Sequence, residues 1–313
     1  MGTARILSLI DEMTEAGCMN LLITGGEPLL REDFPEIYRH AKENGLLVTL
    51  FTNGTIITEK IVELLCELPP VEVEMSIYGA TAEVYESITR VPGSYEKCLR
   101  GIRSLLEQGI RVNLKTILMT LNRHEFFAME NMAKEFGVRF RFDAAISPCI
   151  DGDSAPLGLR VPPEEAIEKE MSDQGKVQSL KKFFERFKDR TLGPDLYGCG
   201  AGLTAFHVDP FGFLFPCMMA LDMGYDTSGV GFKTVWDNIM PRIREKKKAG
   251  ADFACRGCVK INVCGYCPGF FRLENGLEDV RSEYLCKMGS LRFQYIRNHV
   301  IKGDHDGQPE KIS

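Results

Sequence analysis

Along the first 145 residues, short apolar runs alternate with stretches whose apolar residues recur every three or four positions. Ile6, Leu9, Ile10 and Met13 mark a helix that stops at Gly17, and Asn20 to Thr24 is a short strand closed by Gly25-Gly26. The cycle then repeats. The spacing predicts a helix over 33–43, a strand over 46–52, a helix carrying Ile61, Leu64, Leu65 and Leu68, and a strand over 71–77. A helix holding Leu99, Ile102 and Leu106, a strand over 111–119, a helix over 126–136 and a strand over 139–143 follow. Strict alternation of strand and helix implies parallel pairing, hence an α/β barrel, a partial barrel or a doubly wound sheet. Strand polarity discriminates among them. Val71, Val73, Met75 and Ile77 alternate with Glu72, Glu74 and Ser76, and Phe140 and Phe142 alternate with Arg139, Arg141 and Asp143. A doubly wound sheet is apolar on both faces, whereas a barrel or half barrel can turn a polar face to a ligand-binding lumen. The competing reading is a set of edge strands showing that face to solvent.

The pattern breaks between Ile146 and Pro163 into Pro, Gly and Asp, which marks a linker. A helix is expected over 164–190, with Val177, Leu180, Phe184 and Phe187 on one stripe. The expected domains are 1–145, a linker and helix over 146–197, a cysteine-rich domain over 198–290, and a helix end with a frayed tail over 291–313.

The chain has 313 residues, enough for one large or two ordinary domains. Its 38 basic residues against 44 acidic ones give a net charge of -6, so no global basic field draws nucleic acid or an anionic membrane. No apolar run is long enough to span a bilayer, no secretory core is visible, and a cytoplasmic location is expected. Cysteine changes the picture most. Of the 11, seven (Cys199, Cys217, Cys255, Cys258, Cys264, Cys267 and Cys286) fall within 88 residues, and in a reducing compartment such clustering favours metal ligation over disulfides. Cys255-x2-Cys258-x5-Cys264-x2-Cys267-Pro268 has too short a central gap for a zinc ribbon. It suits iron-sulfur cubanes of about four ligands each. Seven cysteines nearly furnish two, leaving one position for another ligand, water or substrate, with Asp195 a candidate. Cys18, Cys66, Cys98 and Cys149 lack ligand spacing, and His207 reads as a packed residue.

Thr24-Gly25-Gly26-Glu27-Pro28 closes a strand at its C-terminal end, where parallel α/β folds place their sites. Glycines admit close backbone approach, and a fixed carboxylate can accept from an amino-acid ammonium group. Asn53, Ser76, Lys115 and Asp143 fall near the C-terminal halves of other strands and would converge in a barrel. Each alone is also explained as a turn residue, a hydroxyl near a helix or a solvated charge. Arg90 alone reads as a surface charge.

Gly25-Gly26-Glu27-Pro28 with this seven-cysteine pattern resembles the radical S-adenosylmethionine enzymes that carry a C-terminal SPASM domain, and the resemblance spans nearly the whole chain. Within that superfamily, SIYGATAEVYESITRVPGSYEKCLRGI and CGYCPGFF resemble the branch that modifies ribosomally made peptides. The resemblance implies a partial (β/α)6 TIM-like barrel followed by a small cysteine-rich α+β SPASM domain. It also implies S-adenosylmethionine as cofactor, its methionine amine at Gly25, Gly26, Glu27 and Pro28, and Ser76, Arg90 and Lys115 as partners of its carboxylate or ribose, with Asn53 beside them. Cys199, Cys217 and Cys267 would hold one auxiliary [4Fe-4S] cluster and Cys255, Cys258, Cys264 and Cys286 the other. The implied reaction is hydrogen abstraction leading to a thioether or carbon-carbon crosslink in a precursor peptide. The implied partners are that peptide, a separate peptide-recognition protein and a reductant such as ferredoxin or flavodoxin.

The family's catalytic cluster sits on a Cys-x3-Cys-x2-Cys loop after the first strand, and this sequence contains no such spacing. The chain therefore reads as an N-terminally truncated form lacking that strand, inactive as written. Two further readings differ in class. A non-catalytic iron-sulfur electron-transfer or peptide-binding partner would hold clusters without cleaving the cofactor, and a zinc-stabilised α/β binding protein would be colourless.

Overall fold

The computed structural model describes residues 1–189 and 191–298. The expected tail after Val300 lies outside them. The chain forms two compact units: Met1–Ala144 with Val208–Leu214 and Tyr225–Asn238, and Ala145–His207 with Phe215–Gly224 and residues from Ile239 onward.

The first unit begins with α1 (Thr3–Glu15), which buries Leu9, Ile10 and Met13 on one stripe, as its periodicity requires. Then come β1 (Asn20–Ile23), α2 (Phe34–Glu43), β2 (Leu47–Thr52), α3 (Glu59–Glu67), β3 (Glu72–Ser76), α4 (Ala82–Thr89), α5 (Ser94–Glu107), β4 (Val112–Ile117), α6 (Phe126–Glu135) and β5 (Arg139–Asp143). All neighbouring strands pair in parallel, in the order β1-β2-β3-β4-β5. The alternation over 1–145 thus predicts all five strands, each within a few residues of its bounds. It overlooks α4, a two-turn helix that buries only Tyr85 and starts where the Thr81 hydroxyl accepts from Val84 N–H at 3.3 Å.

The register sorts the sheet into two faces. Phe51 pairs with Glu74, Glu74 with Asn113 and Asn113 with Arg139, while Ser76 pairs with Lys115 and Lys115 with Arg141. All of these lie on one face because partners in register point the same way. Val48, Leu50, Val73, Met75, Val112 and Leu114 lie on the other, buried beneath helices. The expected polar face is therefore real.

The second unit opens with α7 (Pro163–Met171) and α8 (Gln174–Phe187), where the periodicity predicts a single helix. Asp173 separates them: its carboxylate accepts from Gly175 and Lys176 N–H and starts a second helix at Gln174. Three short strands follow, β6 (His207–Val208), β7 (Phe213–Phe215) and β8 (Tyr225–Asp226), then α9 (Phe232–Thr234), α10 (Met240–Glu245), α11 (Pro268–Asn275) and α12 (Glu283–Ile296). Residues 208–214 and 225–238 belong with the first unit. There Arg5 donates to the Thr227 hydroxyl at 2.8 Å, and Glu12 accepts from Phe232 N–H at 2.6 Å. The core of the second unit gathers Leu192, Tyr197, Phe253, Cys255, Phe270 and Phe271. No helix among the described residues is long and apolar enough to cross a membrane.

Candidate functional site

The first candidate site lies at the C-terminal edge of the parallel sheet. Gly25 and Gly26 are exposed just past β1. Glu27, only 9% exposed, turns inward. One oxygen accepts from Leu29 N–H at 3.1 Å and from the Thr52 hydroxyl at 2.8 Å, and the other accepts from Asn53 N–H at 2.7 Å. A carboxylate offers about four acceptor positions, and the protein fills three. That side chain ties the loop to the end of β2 and keeps one acceptor position. The exposed glycines leave their main chain open to close approach. Pro28 is buried and opens a short 3-10 turn to Leu30, a position suited to its fixed φ.

Asn53 spends its side-chain oxygen on a turn, accepting from Thr55 N–H at 2.9 Å and from the Thr55 hydroxyl at 2.7 Å. Ser76 stands at the end of β3, opposite Lys115. Lys115 lies 3.1 Å from the centroid of the Phe51 ring and 4.0 Å from the Glu74 carboxylate, which also pairs with Arg141. Burial pulls the Lys115 ammonium down to about 8, Arg141 adds to the fall, and Glu74 opposes it. Deeper on the same face, Glu72 accepts from Asn113 at 2.8 Å and from Arg139 at 2.7 Å. Arg90 is exposed at the end of α4 with φ 57°, the one left-handed non-glycine among the described residues. A backbone strain of about 1–3 kcal/mol is usually retained where a site requires it. Asp143 ends β5 on the polar face.

These residues fit S-adenosylmethionine by donor type: main-chain carbonyls for its ammonium group, a lysine and an arginine for its carboxylate, and Asn53 and Ser76 as uncharged polar groups. The polarity pattern marks Glu74 and Arg141 but gives no sign that they pair beside Lys115. It does not single out Phe51 or Thr52.

The second candidate site comprises the seven clustered cysteines, all in the second unit. Cys199 opposes ionisation of Cys217, and both oppose that of Cys267. Cys258, Cys264 and Cys286 likewise oppose ionisation of Cys255, which burial, the larger cause, pushes up to about 11. Such effects act between neighbouring groups, and they link Cys217 and Cys267 with Cys199, and Cys255 and Cys264 with Cys258 and Cys286. Two glycines allow this approach. A Cβ on Gly269 would stand 2.4 Å from the Met219 carbonyl oxygen, which seats the start of α11 against the Cys217 loop. One on Gly289 would stand 2.2 Å from the Cys264 Cβ, which seats α12, the Cys286 helix, against Cys264. Cys267 caps α11, its sulfur accepting from Phe270 N–H at 3.4 Å.

Among the described residues no three His, Cys, Asp or Glu side chains gather closely enough to hold one metal ion. The donor set is all thiol, the ligand type of cubane clusters, whose thiolates bind separate irons. Asp195 does not join either group: its carboxylate pairs with Lys248. His207 packs near Phe215, with ring centroids 6.0 Å apart. Of the scattered cysteines, Cys98 is buried, Cys18 half-buried, and Cys66 and Cys149 exposed.

A parallel sheet carrying a polar site at its C-terminal edge, with a separate cysteine-rich unit, defines a two-unit α/β protein. Residues 1–136 match the family model of the radical SAM superfamily. The chain is 28% identical over 279 residues to the AdoMet-dependent heme synthase of Methanosarcina barkeri, covering 82% of this chain and 79% of that protein. It is 27% identical over 276 residues to the mycofactocin maturase MftC of Mycobacterium tuberculosis, covering 84% and 69%. Among solved structures, native anSMEcpe with bound AdoMet superposes with a TM-score of 0.71 at 16% identity, over 97% of this chain and 90% of that one. Streptococcus suis SuiB bound to its precursor peptide SuiA gives 0.70 at 14% identity, over 91% and 69%. The fold is thus the partial barrel of radical SAM enzymes.

Proposed function

We propose that this chain supplies the cofactor-binding and auxiliary-cluster parts of a radical S-adenosylmethionine protein that matures a ribosomally made peptide, with two auxiliary [4Fe-4S] clusters in a SPASM-type domain and no Cys-x3-Cys-x2-Cys spacing of its own for the catalytic cluster. The observation that carries the cofactor site is the loop at Gly25–Pro28, locked by Glu27 onto the end of β2, on which Phe51 carries the Lys115 ammonium over its ring. When bound, S-adenosylmethionine together with a reduced cluster supplies one-electron, hydrogen-abstracting chemistry. The chain's own residues prepare for it. Main-chain carbonyls at Gly25 and Gly26 hold the ammonium group, Lys115 and Arg90 hold the carboxylate, and Ser76 and Asn53 orient the ribose. Cys199, Cys217 and Cys267 would hold one auxiliary cluster, and Cys255, Cys258, Cys264 and Cys286 the other. A thioether or carbon-carbon crosslink suits such a pair, because an auxiliary cluster can bind a substrate thiolate or take up the second electron of an oxidation. A ferredoxin or flavodoxin would supply electrons, and a separate protein would present the peptide.

The peptide reading is supported by the mycofactocin maturases, which match over 84% of this chain. The heme synthase match over 82% supports a second reading, a tetrapyrrole substrate. Iron, zinc and S-adenosylmethionine binding measured on anaerobically reconstituted protein test the proposal. About eight irons per chain are expected for two cubanes, with cofactor binding that Glu27→Gln weakens. Stoichiometric zinc with little iron would overturn it. A shifted Soret band on adding an iron porphyrin would favour the second substrate class.

A further inference from the structure

The segment carrying Cys199 lies between α8 and β6 with no helix of its own, and one guanidinium holds it. Arg244, on α10, donates from Nη2 to the Tyr197 carbonyl at 2.6 Å, and from Nη1 to the Cys199 carbonyl at 3.3 Å and to the Ala201 carbonyl. The three acceptors belong to every second residue, so the loop curls around the fork of the side chain. At its start the Tyr266 hydroxyl, one residue before Cys267, donates to the Leu196 carbonyl at 2.8 Å. At its end Gly202 N–H donates at 3.1 Å to the carbonyl of Pro216, which precedes Cys217. The Cys199 loop is thereby tied to the segments bearing the other two thiols of its group. Among the described residues no carboxylate is found paired with Arg244, whose guanidinium rests on the main chain of the Cys199 loop.

We propose that Arg244 is the positioning residue for the cluster of the Cys199, Cys217 and Cys267 group and raises the reduction potential of that cluster above what the thiolates alone would set. The proposal rests on the iron-sulfur reading above. The fork fixes where Cys199 presents its sulfur, and its positive charge favours the reduced, more negative state of the cluster. Cluster potentials respond to net charge and to hydrogen bonding around the ligands, so both effects act on the same centre. Lysine retains the charge and has three N–H donors, but it lacks the planar two-nitrogen fork that spans these carbonyls.

The experiment uses the full chain, reconstituted anaerobically, as wild type, Arg244→Lys and Arg244→Met. Iron per chain, the rate of iron release to a ferrous chelator and EPR-monitored redox titrations are the readouts. In Arg244→Met the iron of one cluster should leave about ten- to a hundredfold faster than in wild type, and one midpoint potential should move to more negative values while the other stays. Arg244→Lys should release that iron faster too, yet keep its midpoint nearer the wild-type value. Wild-type release rates and wild-type potentials in both variants would overturn the proposal. Should Arg244→Met fail to fold, Arg244→Lys decides by its release rate alone. Should the wild type take up no cluster, the iron-sulfur reading itself fails, and that result is seen before any variant is compared.

Discussion

The polar face of the sheet and the cysteine groups are built by opposite means. On the sheet, strand register places every group, and the charges satisfy one another: Glu72 with Arg139 and Asn113, Glu74 with Arg141 and Lys115, Glu27 with Thr52 and Asn53. Around the cysteines, short helices and turns converge on thiols whose ionisation is mutually opposed, and four of the seven sit in or against the core of the second unit, including Cys255 within it. The first site is complete as a polymer. The second is an arrangement of donors whose repulsion a bound cation would relieve.

Removal of iron breaks that comparison most directly. Under the proposed reading, chelation should cost the second unit most of its protection from amide exchange while residues of β2, β3 and β4 keep theirs, as mass spectrometry of exchanged peptides will report; equal loss in both units would contradict it. Gly289→Ala comes next. The added methyl collides with Cys264, so about 1–3 kcal/mol of stability and the iron of one cluster should go together, read by thermal unfolding and iron analysis. Glu27→Ala strands three donors, Leu29 N–H, Thr52 hydroxyl and Asn53 N–H, and should cost about 1–3 kcal/mol with cofactor binding lost, measurable by denaturant unfolding and calorimetry.

A smaller effect separates charge from packing on the sheet. The Lys115 pKa is depressed, so the native state binds that proton less tightly than the unfolded chain does. Native Lys115 loses its charge as pH rises through about 8, and the depression penalises stability below that point and fades between there and the ordinary lysine range. Glu74 and Arg141 flank it from β3 and β5. Cofactor affinity should therefore fall across the same pH span, and Lys115→Arg should flatten the profile; an unchanged slope in the variant would remove Lys115 from the site. The smallest effect expected is that of Ser282→Ala, which removes the hydroxyl accepting from Leu285 N–H at the start of α12 and should cost about 1 kcal/mol.

What the sequence reveals follows from how local each feature is. Alternation of Val73 and Met75 with Glu72, Glu74 and Ser76 is a property of consecutive residues, so the strand and its two faces are legible before any contact is known. α4 escapes because eight residues burying one side chain leave no stripe to detect, although Thr81 marks its start. The break between α7 and α8 is written in Asp173, yet an apolar stripe continuing on both sides conceals it. The inward turn of Glu27 depends on Thr52 and Asn53, 25 and 26 residues away, and the fork of Arg244 on carbonyls 43 to 47 residues away. Main-chain acceptors are the same whatever the side chain, so no residue pattern announces them.

Cys264 and Cys267 stand three positions apart, one in each thiol group, with Tyr266 between them anchored to Leu196. The short knuckle therefore belongs to both groups at once. Fixing its backbone for one group removes conformational freedom that the other would otherwise have to remove itself. Loading of either site should accordingly ease loading of the other.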